Sequence, residues 1–480
     1  MKQKKMGIAK ATLINGGAKY INVFFMILAN AVLSRLLSPD DYGKVAIITV
    51  FVTFFMTFSD MGLGAGVVQN KDLSEEDITN IFSFSFYLSV SIALLFTFVS
   101  YPISWFYNEY EYVKIGRLLA ISLFFNAFSM IPNACLMKDQ RFLLTGVRTI
   151  VSYALSYLIA IILAYNGAKY YSLVWQSILY AVITFWWNIK CTKLHFKFTF
   201  KYSSVSKIIS YSSYNFGFDF LEYFVRNMDS FLTGKFMGSA MLGYYNKAYS
   251  LMLYPVVYLT NVIASVLHPI LSDYQNDKEY IWRKFITVFK VLSLLGAFIS
   301  VFCFFGAKEI IYILYGEKWG LSIPCVQMLS ISVWFQMTST SYDGIYRSLG
   351  KTKLLFKTAM IFVPVQLVCI VIGCLSKNLI ILSVAVTLAY ILKFLITTYS
   401  LVKKGFGKPQ YHIYKILWPE LLTTTATVII CSFVMKIQIA STFFSGVFKF
   451  LVCLICFVAG YLLSGEVNLQ ERRCNIDRHY

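Results

Sequence analysis

FDFLEYFVRNMDSFLTG, residues 218–234, carries four charged side chains in a chain otherwise dominated by apolar runs. Asp219, Glu222, Arg226, Asp229 and Thr233 follow one another at intervals of 3, 4, 3 and 4 residues. This spacing places the five side chains on one side of a helix, and the other side is Phe, Leu, Val and Met. The stretch is therefore predicted to be a helix with one polar face and not a loop.

The composition places this helix in a membrane. Of the 480 residues, 58% are hydrophobic and 14% charged, and apolar runs recur along the whole length. A soluble domain could not bury so much apolar surface, which indicates an all-α polytopic membrane protein. The net charge of +20 falls mainly in short links between apolar runs, so it indicates membrane topology and not nucleic-acid binding. The ten cysteines are scattered singly, which favours packing over a metal site or disulfides.

The apolar runs predict about fourteen transmembrane helices, since one span needs about 20 mostly apolar residues. With both termini in the cytoplasm, the cytoplasmic links and tails hold 28 Lys and Arg and the opposite links 11, as the positive-inside rule requires. One cytoplasmic link, QNKDLSEEDITN at 69–80, is acidic and fits the rule poorly. The predicted centres lie near residues 24, 56, 92, 125, 154, 180, 225, 258, 296, 333, 364, 390, 425 and 454.

An internal repeat divides the predicted spans. At an offset of 200, Asn15-x-Gly17-x-Lys19 aligns with Asn215-x-Gly217-x-Asp219, and Arg35 and Gly43 align with Lys235 and Gly243. At an offset of 210, residues 121–126 align with 331–336. A unit of six helices predicts two parallel lobes, joined by the basic linker at 190–213. The expected divisions are an N-terminal lobe at 1–203, a C-terminal lobe at 204–403, and two further helices with a cytoplasmic tail at 404–480.

A transporter of two such lobes usually holds its substrate between them, so polar residues within the spans are the candidates. Charges at mid-bilayer are costly and face protein or water. The charged face of span 7 is either a structural ladder of ion pairs or the lining of an aqueous cavity, with Arg226 binding an anion and a carboxylate carrying a proton. Asn15, Lys19 and Asn22 form a similar stripe on span 1, with Lys19 at the position equivalent to Asp219.

Other intramembrane candidates are weaker. Lys393, in span 12, is either a second cation of the cavity or a side chain that reaches the cytoplasmic surface. Asp60 lies near the inner end of span 2, in a glycine-rich stretch. Glu420 and Lys449 are predicted to be interfacial, without a role. No catalytic residue, cofactor or metal ligand is predicted. The expected substrate-binding residues are Asn15, Lys19, Asn22, Asn215, Arg226 and Lys393, and those for ion coupling or cavity ion pairs are Asp60, Asp219, Glu222 and Asp229.

Three stretches carry a resemblance to a known family. They are LANAVLSRLLSPDDYGKVAIITVF at 28–51, FSDMGLGAGVVQ at 58–69 and VRNMDSFLTGKFMGSAMLGYYNKAYSLMLYP at 225–255. The chain resembles, from residue 8 to about 460, the bacterial polysaccharide exporters of the Wzx/teichuronic-acid type. These belong to the multidrug/oligosaccharidyl-lipid/polysaccharide (MOP) flippase superfamily.

The resemblance implies a V-shaped, two-lobed flippase in the bacterial cytoplasmic (inner) membrane. Such proteins move oligosaccharides linked to undecaprenyl pyrophosphate to the outer leaflet by alternating access. The transported units are used to build O-antigen, capsule, exopolysaccharide or teichuronic acid. The implied partners are membrane lipids, a polymerase and a chain-length regulator.

The resemblance also implies a cationic central cavity that holds the pyrophosphate and the sugar. The family's R-N-x-D motif falls on Arg226, Asn227 and Asp229, and the L-S-R-L-L end of span 1 falls on Arg35. Span 7 departs from a purely cationic surface, with three acids and one base on its stripe. That departure keeps an ion-coupled antiporter of drugs or organic cations as the alternative. An enzyme is disfavoured, because the outer links are only on the order of ten residues long and leave no room for a catalytic loop.

Overall fold

The computed structural model describes residues 8–60, 62–192, 194–272, 277–434, 437 and 439–463, and these residues form a helical protein. A 3₁₀ turn at Glu317–Trp319 and a π-helical segment at Ser400–Phe406 interrupt the α-helices. The α-helices are α1 (Ile8–Leu36), α2 (Pro39–Asp60), α3 (Leu63–Gln69), α4 (Glu75–Tyr107), α5 (Glu111–Phe128), α6 (Met130–Lys138), α7 (Phe142–Tyr165), α8 (Tyr171–Thr192), α9 (Tyr202–Met237), α10 (Ser239–Ser272), α11 (Lys278–Phe305), α12 (Ala307–Leu314), α13 (Ser322–Ser339), α14 (Tyr342–Ser348), α15 (Thr352–Leu375), α16 (Leu379–Tyr399), α17 (Tyr411–Val434) and α18 (Thr442–Leu463).

The predicted all-α membrane class is confirmed. Within the part of the chain that the structure describes, nine helical segments are long and apolar enough to cross a membrane. The fourteen predicted centres each fall within a different helix, although fourteen spans remains a prediction. The charged stretch at 218–234 lies inside α9, one continuous helix of 36 residues, so the prediction of a helix and not a loop is correct.

The chain divides into two compact units, Met1–Gly243 and Tyr244–Tyr480. In the first, α1 packs on α7, α4 on α5, and α8 on both α5 and α7. Helix α9 belongs to this unit, because it packs against α2, α3 and α4. The contact boundary thus lies after α9, whereas the sequence repeat suggests a division at 203. The lobes at 1–203 and 204–403 remain a prediction.

In the second unit, α13 packs on both α11 and α16, and α17 and α18 pack on α11. Buried polar contacts hold the last two helices. The ammonium of Lys449 lies 2.6 Å from the carboxylate of Glu309, and Ser445 donates to the same carboxylate oxygen at 2.8 Å. Ser293 donates to the buried carboxylate of Glu420. Glu420 and Lys449 thus each have a polar partner on a neighbouring helix, α11 and α12 respectively, and their predicted position at the membrane interface remains a prediction.

The acidic stretch at 69–80, which runs into the first turns of α4, contacts the basic stretch at 190–213, which runs into the first turns of α9. The ammonium groups of Lys201 and Lys207 lie 2.8 Å and 2.7 Å from the carboxylates of Glu76 and Asp77. The bond to Glu76 raises the pKa of Lys201. The two links therefore lie on the same side of the first unit, and the acidic one is the ionic partner of a basic segment.

Two glycines allow the start of α2 to touch the start of α10. A Cβ on Gly43 would overlap the backbone carbonyl of Ser239, and a Cβ on Gly243 would overlap that of Pro39. The positions are equivalent at the offset of 200, so each repeat supplies one glycine and one carbonyl to the crossing. Small residues four apart permit such close approach of helices in membranes. Below the crossing, the hydroxyl of Tyr223 donates to the carbonyl of Val50 at 2.8 Å.

Candidate functional site

A cavity of about 510 Å³ with several polar side chains in its wall lies in the first unit, where two helices are interrupted. Helix α2 ends at Asp60, and α3 begins after Gly62, whose φ of 73° lies in the left-handed region. Helix α5 gives way to α6 at Ser129. Interrupted helices expose backbone groups at membrane depth and are typical of transporter binding sites. Helices α7 and α8 complete the wall of the cavity.

Arg148 is the cation of the cavity wall, and its side chain is 8% exposed. It lies in the seventh position of α7. Its Nη1 donates to the amide oxygens of Asn133 and Asn188 at 2.9 Å and 2.5 Å. Its Nη2 makes a long contact of 3.4 Å with the hydroxyl of Thr149. Asn188 in turn donates to the hydroxyl of Ser129 at 2.8 Å, which fixes the position of the guanidinium.

Several buried polar atoms around the cavity lack a partner. They are the Nε of Arg148, the hydroxyl of Ser59 and the hydroxyl of Thr184, and all three residues line the cavity. Buried polar groups are normally hydrogen-bonded, so each unsatisfied group carries a cost in free energy, and three such groups belong to residues of one cavity wall. Asn126 and Tyr180 add further polar groups to the wall.

Asp60 is the one sequence-predicted site residue on this wall. Its carboxylate accepts a hydrogen bond from the amide of Gly64, and the residue is exposed. Among the described residues, no ion pair joins Asp60 to Arg148. The cavity thus presents one carboxylate and one guanidinium as separate groups.

The structure gives the residues of the span 7 stripe different surroundings. Arg226 is exposed, whereas Asp229 is 3% exposed and Thr233 is fully buried. The amide of Ser230 donates to the carboxylate of Asp229 at 2.7 Å. The side chains of Asp219, Glu222 and Asn215 lie outside the described residues, although their backbone forms part of α9. The face predicted to line a cavity is therefore partly buried against other helices.

The remaining candidates lie apart from this cavity. The ammonium of Lys393 lies 4.7 Å from the ring centre of Phe362, a cation–π contact within the second unit. Asn22 is half-buried in α1, and its amide oxygen has no hydrogen-bond partner. The side chains of Asn15 and Lys19 lie outside the described residues. The predicted substrate and ion-coupling residues therefore remain predictions.

Arg148 was not predicted from the sequence. The charge count assigned it to the cytoplasmic link before span 5, because only six residues of that helix precede it. Its burial depends on Asn133 and Asn188, which come from α6 and α8. The available signal was that Arg148 is followed by 20 residues without a charge, 149–168.

Comparison with known proteins places this fold in a family. A family model described as "Polysaccharide biosynthesis protein" matches residues 32–324. The chain belongs to this family. The match covers the cavity and the crossing of α2 with α10, and it confirms the predicted resemblance to polysaccharide exporters.

Curated relatives match most of the length of the chain. The teichuronic acid biosynthesis protein TuaB of Bacillus subtilis is 23% identical over 357 residues, which are 72% of this chain and 73% of TuaB. The lipopolysaccharide biosynthesis protein WzxC of Escherichia coli is 19% identical over 449 residues, which are 90% of this chain and 87% of WzxC.

Among solved structures, the lipid II flippase MurJ in an inward closed conformation is similar. Its TM-score is 0.73 at 14% identity, and the match covers 95% of this chain and 100% of that chain. This likeness confirms the predicted MOP-type fold of a multi-pass membrane protein.

Proposed function

We propose that the protein moves lipid-linked oligosaccharides across the bacterial cytoplasmic membrane for the synthesis of a surface polysaccharide. The family match over residues 32–324 carries this proposal. TuaB and WzxC are named for teichuronic acid and lipopolysaccharide biosynthesis, and MurJ is titled a lipid II flippase. The proposed substrate is an oligosaccharide on undecaprenyl pyrophosphate. The proposed topology has both termini of the protein in the cytoplasm. The proposed activity is transport, without a chemical change to the glycan.

The chemistry of the cavity supports such a substrate. A sugar offers many hydroxyl groups, and the cavity wall offers amides, hydroxyls and one carboxylate to bind them. A membrane-embedded cavity with this lining would be costly to keep without a polar ligand or water. Movement by alternating access is part of the proposal, and the interrupted helices α2–α3 and α5–α6 are elements that could change shape during the cycle.

The residues expected from the sequence belong to the same proposal. Arg226 would bind the anionic part of the substrate with Lys19 and Lys393, and Asn15, Asn22 and Asn215 would bind sugar hydroxyls. Asp60, Asp219, Glu222 and Asp229 would pair with these cations or carry a coupling ion. A polymerase and a chain-length regulator are proposed partners in the membrane.

The proposal is tested by deleting the gene and measuring surface polysaccharide. Deletion should abolish the polysaccharide, and the wild-type gene should restore it. Arg226→Ala should fail to restore it while the protein still accumulates in the membrane. Arg283→Ala, which removes an exposed arginine of α11, is the matched control and should restore it fully. An antiporter of organic cations predicts instead that deletion raises drug sensitivity and leaves the cell surface unchanged.

A further inference from the structure

A non-helical segment at 194–201, here called the strap, leads from α8 to α9 along the side of α4. The phenol of Tyr87 donates to the backbone carbonyl of Phe198 at 2.6 Å. The backbone amide of Lys197 donates to the hydroxyl of Ser83 at 3.0 Å. Because both bonds fix the backbone of the strap on α4, its side chains have defined positions relative to that helix.

The side chains of the strap have two kinds of surroundings. Leu194, Phe196 and Phe200 pack against the hydrophobic core of the first unit. Phe198, by contrast, is 83% exposed, and its neighbour Lys197 is exposed as well. A single exposed aromatic side chain is common on protein surfaces, so the depth of Phe198 in the membrane decides what it contacts.

The aromatic residues of α4 indicate that depth. Trp105 is 81% exposed and lies 18 residues after Tyr87, which is 37% exposed. At 1.5 Å per residue the two are about 27 Å apart, close to the hydrocarbon thickness of about 30 Å. Exposed side chains between them include Leu95 and Phe98, whereas Tyr and Trp collect at the two interfaces. Tyr87 therefore marks one interface, the cytoplasmic one in the predicted topology, and Phe198 lies at the same depth.

The charge around Phe198 is positive. The sequence from 171 to 218 contains five lysines and no Asp or Glu. Glu76 and Asp77 of α4 are near the strap, but each already pairs with one of these lysines. Lys190 and Lys197 are exposed, and neither forms an ion pair with any other residue that the structure describes. These two ammonium groups are thus available to an anionic partner.

We propose that the strap binds anionic phospholipids of the cytoplasmic leaflet. The ring of Phe198 lies in the layer of the headgroups, and the ammonium groups of Lys190 and Lys197 bind their phosphates. Aromatic rings favour this layer, and each lysine near an anionic surface strengthens binding about fivefold. The depth of Phe198 favours lipid over a soluble acidic protein. The inference concerns the lipid around the protein, so it does not rest on the proposed function.

Photo-crosslinking of the purified full-length protein tests the proposal. Phe198→p-benzoylphenylalanine places at this position a probe that inserts into nearby C–H bonds under ultraviolet light. The protein is held in nanodiscs that mix phosphatidylcholine with a smaller share of phosphatidylglycerol, and the mass of the adducts identifies the captured lipid. The ratio of phosphatidylglycerol to phosphatidylcholine in the adducts should exceed that of the bilayer about fivefold or more.

Two positions are matched controls for the probe. Phe98 is 68% exposed in α4 and lies within 78–108, a stretch without charged residues. The probe at this position should capture the two lipids in the ratio of the bilayer. Phe196 belongs to the same strap, but its ring centre lies 4.8 Å from that of Phe86. The probe there should react with the protein itself and capture little lipid.

Charge variants test the preference for anionic lipid. Lys190→Gln combined with Lys197→Gln should return the lipid ratio at position 198 to that of the bilayer. Lys169→Gln, which changes an exposed lysine between α7 and α8, should leave the enrichment as it is. The same ratio at 198 as at 98 in the unsubstituted charge background would overturn the anionic preference. Absence of lipid adducts at 198, or adducts with a soluble protein in their place when whole cells are irradiated, would overturn lipid binding.

Discussion

Gly43 lies directly against the backbone carbonyl of Ser239, with no room for a Cβ between them. The equivalent residues of the other repeat make the reciprocal contact, Gly243 against Pro39. Each glycine is in the fifth position of its helix, and each carbonyl belongs to the first residue of the facing helix. Two chain segments 200 residues apart thus meet through a pseudo-symmetric crossing, which gives the sparse sequence repeat a physical meaning.

Gly43→Ala should destabilise the protein, because its new methyl group would overlap a backbone atom that cannot rotate away. The expected loss is about 1–3 kcal/mol, the usual range for overpacking, and more if the helices cannot separate. Thermal unfolding of the purified protein measures it. Gly17→Ala is the matched control in α1, where no atom lies within 4 Å of the added carbon. That variant should be neutral or more stable by up to about 1 kcal/mol, and an equal loss in both variants would contradict the contact.

Gly243→Ala should show the same loss as Gly43→Ala, because the two contacts are reciprocal. The double variant should lose less than the sum, since a crossing already opened by the first methyl group has room for the second. Residues that share one contact commonly couple by about 0.5–3 kcal/mol. Unfolding of the three variants under one condition gives the coupling. Full additivity would mean that the glycines act at independent sites.

Glu309→Gln should destabilise the second unit, since it leaves the ammonium of Lys449 buried without its counter-charge. Removing one partner of a buried ion pair commonly costs about 3–5 kcal/mol. The double variant Glu309→Gln with Lys449→Met should recover much of that loss. Lys308→Met changes the exposed neighbouring residue and should change stability little. Denaturant unfolding measures all four proteins, and a harmless Glu309→Gln would show that the pair does not hold α18 in place.

Cysteine labelling should place the basic linker and the acidic link on the cytoplasmic side. Lys197→Cys and Lys71→Cys should react with a membrane-impermeant maleimide only after the cells are opened, whereas Lys169→Cys, in the link between α7 and α8, should react in intact cells. The unsubstituted chain controls for the native cysteines. Labelling of Lys197→Cys and Lys169→Cys from the same side would overturn the predicted topology.

The sequence was sufficient to predict the long helices, but it was insufficient to predict which side chains of different helices contact each other. Apolar length and the 3, 4 spacing predicted α9 correctly because both are local properties of one helix. The burial of Arg148 depends on asparagines from two other helices, and that of Glu309 and Lys449 on the packing of α12 against α18. The spacing of residues within one helix does not predict contacts with residues of other helices. The acidic stretch at 69–80 likewise pairs with lysines that lie more than 100 residues further along the chain, which its own sequence does not indicate.

The membership of α9 in the first unit has a consequence for biosynthesis. The faces of α2, α3 and α4 that α9 covers are already made when the linker at 190–201 leaves the ribosome, but their partner is not. Until about forty further residues have been translated, lipid or the insertion machinery has to shield these faces. A pause in translation after α8 would leave this intermediate exposed to quality control, so the rate of synthesis across the linker would affect the yield of intact transporter.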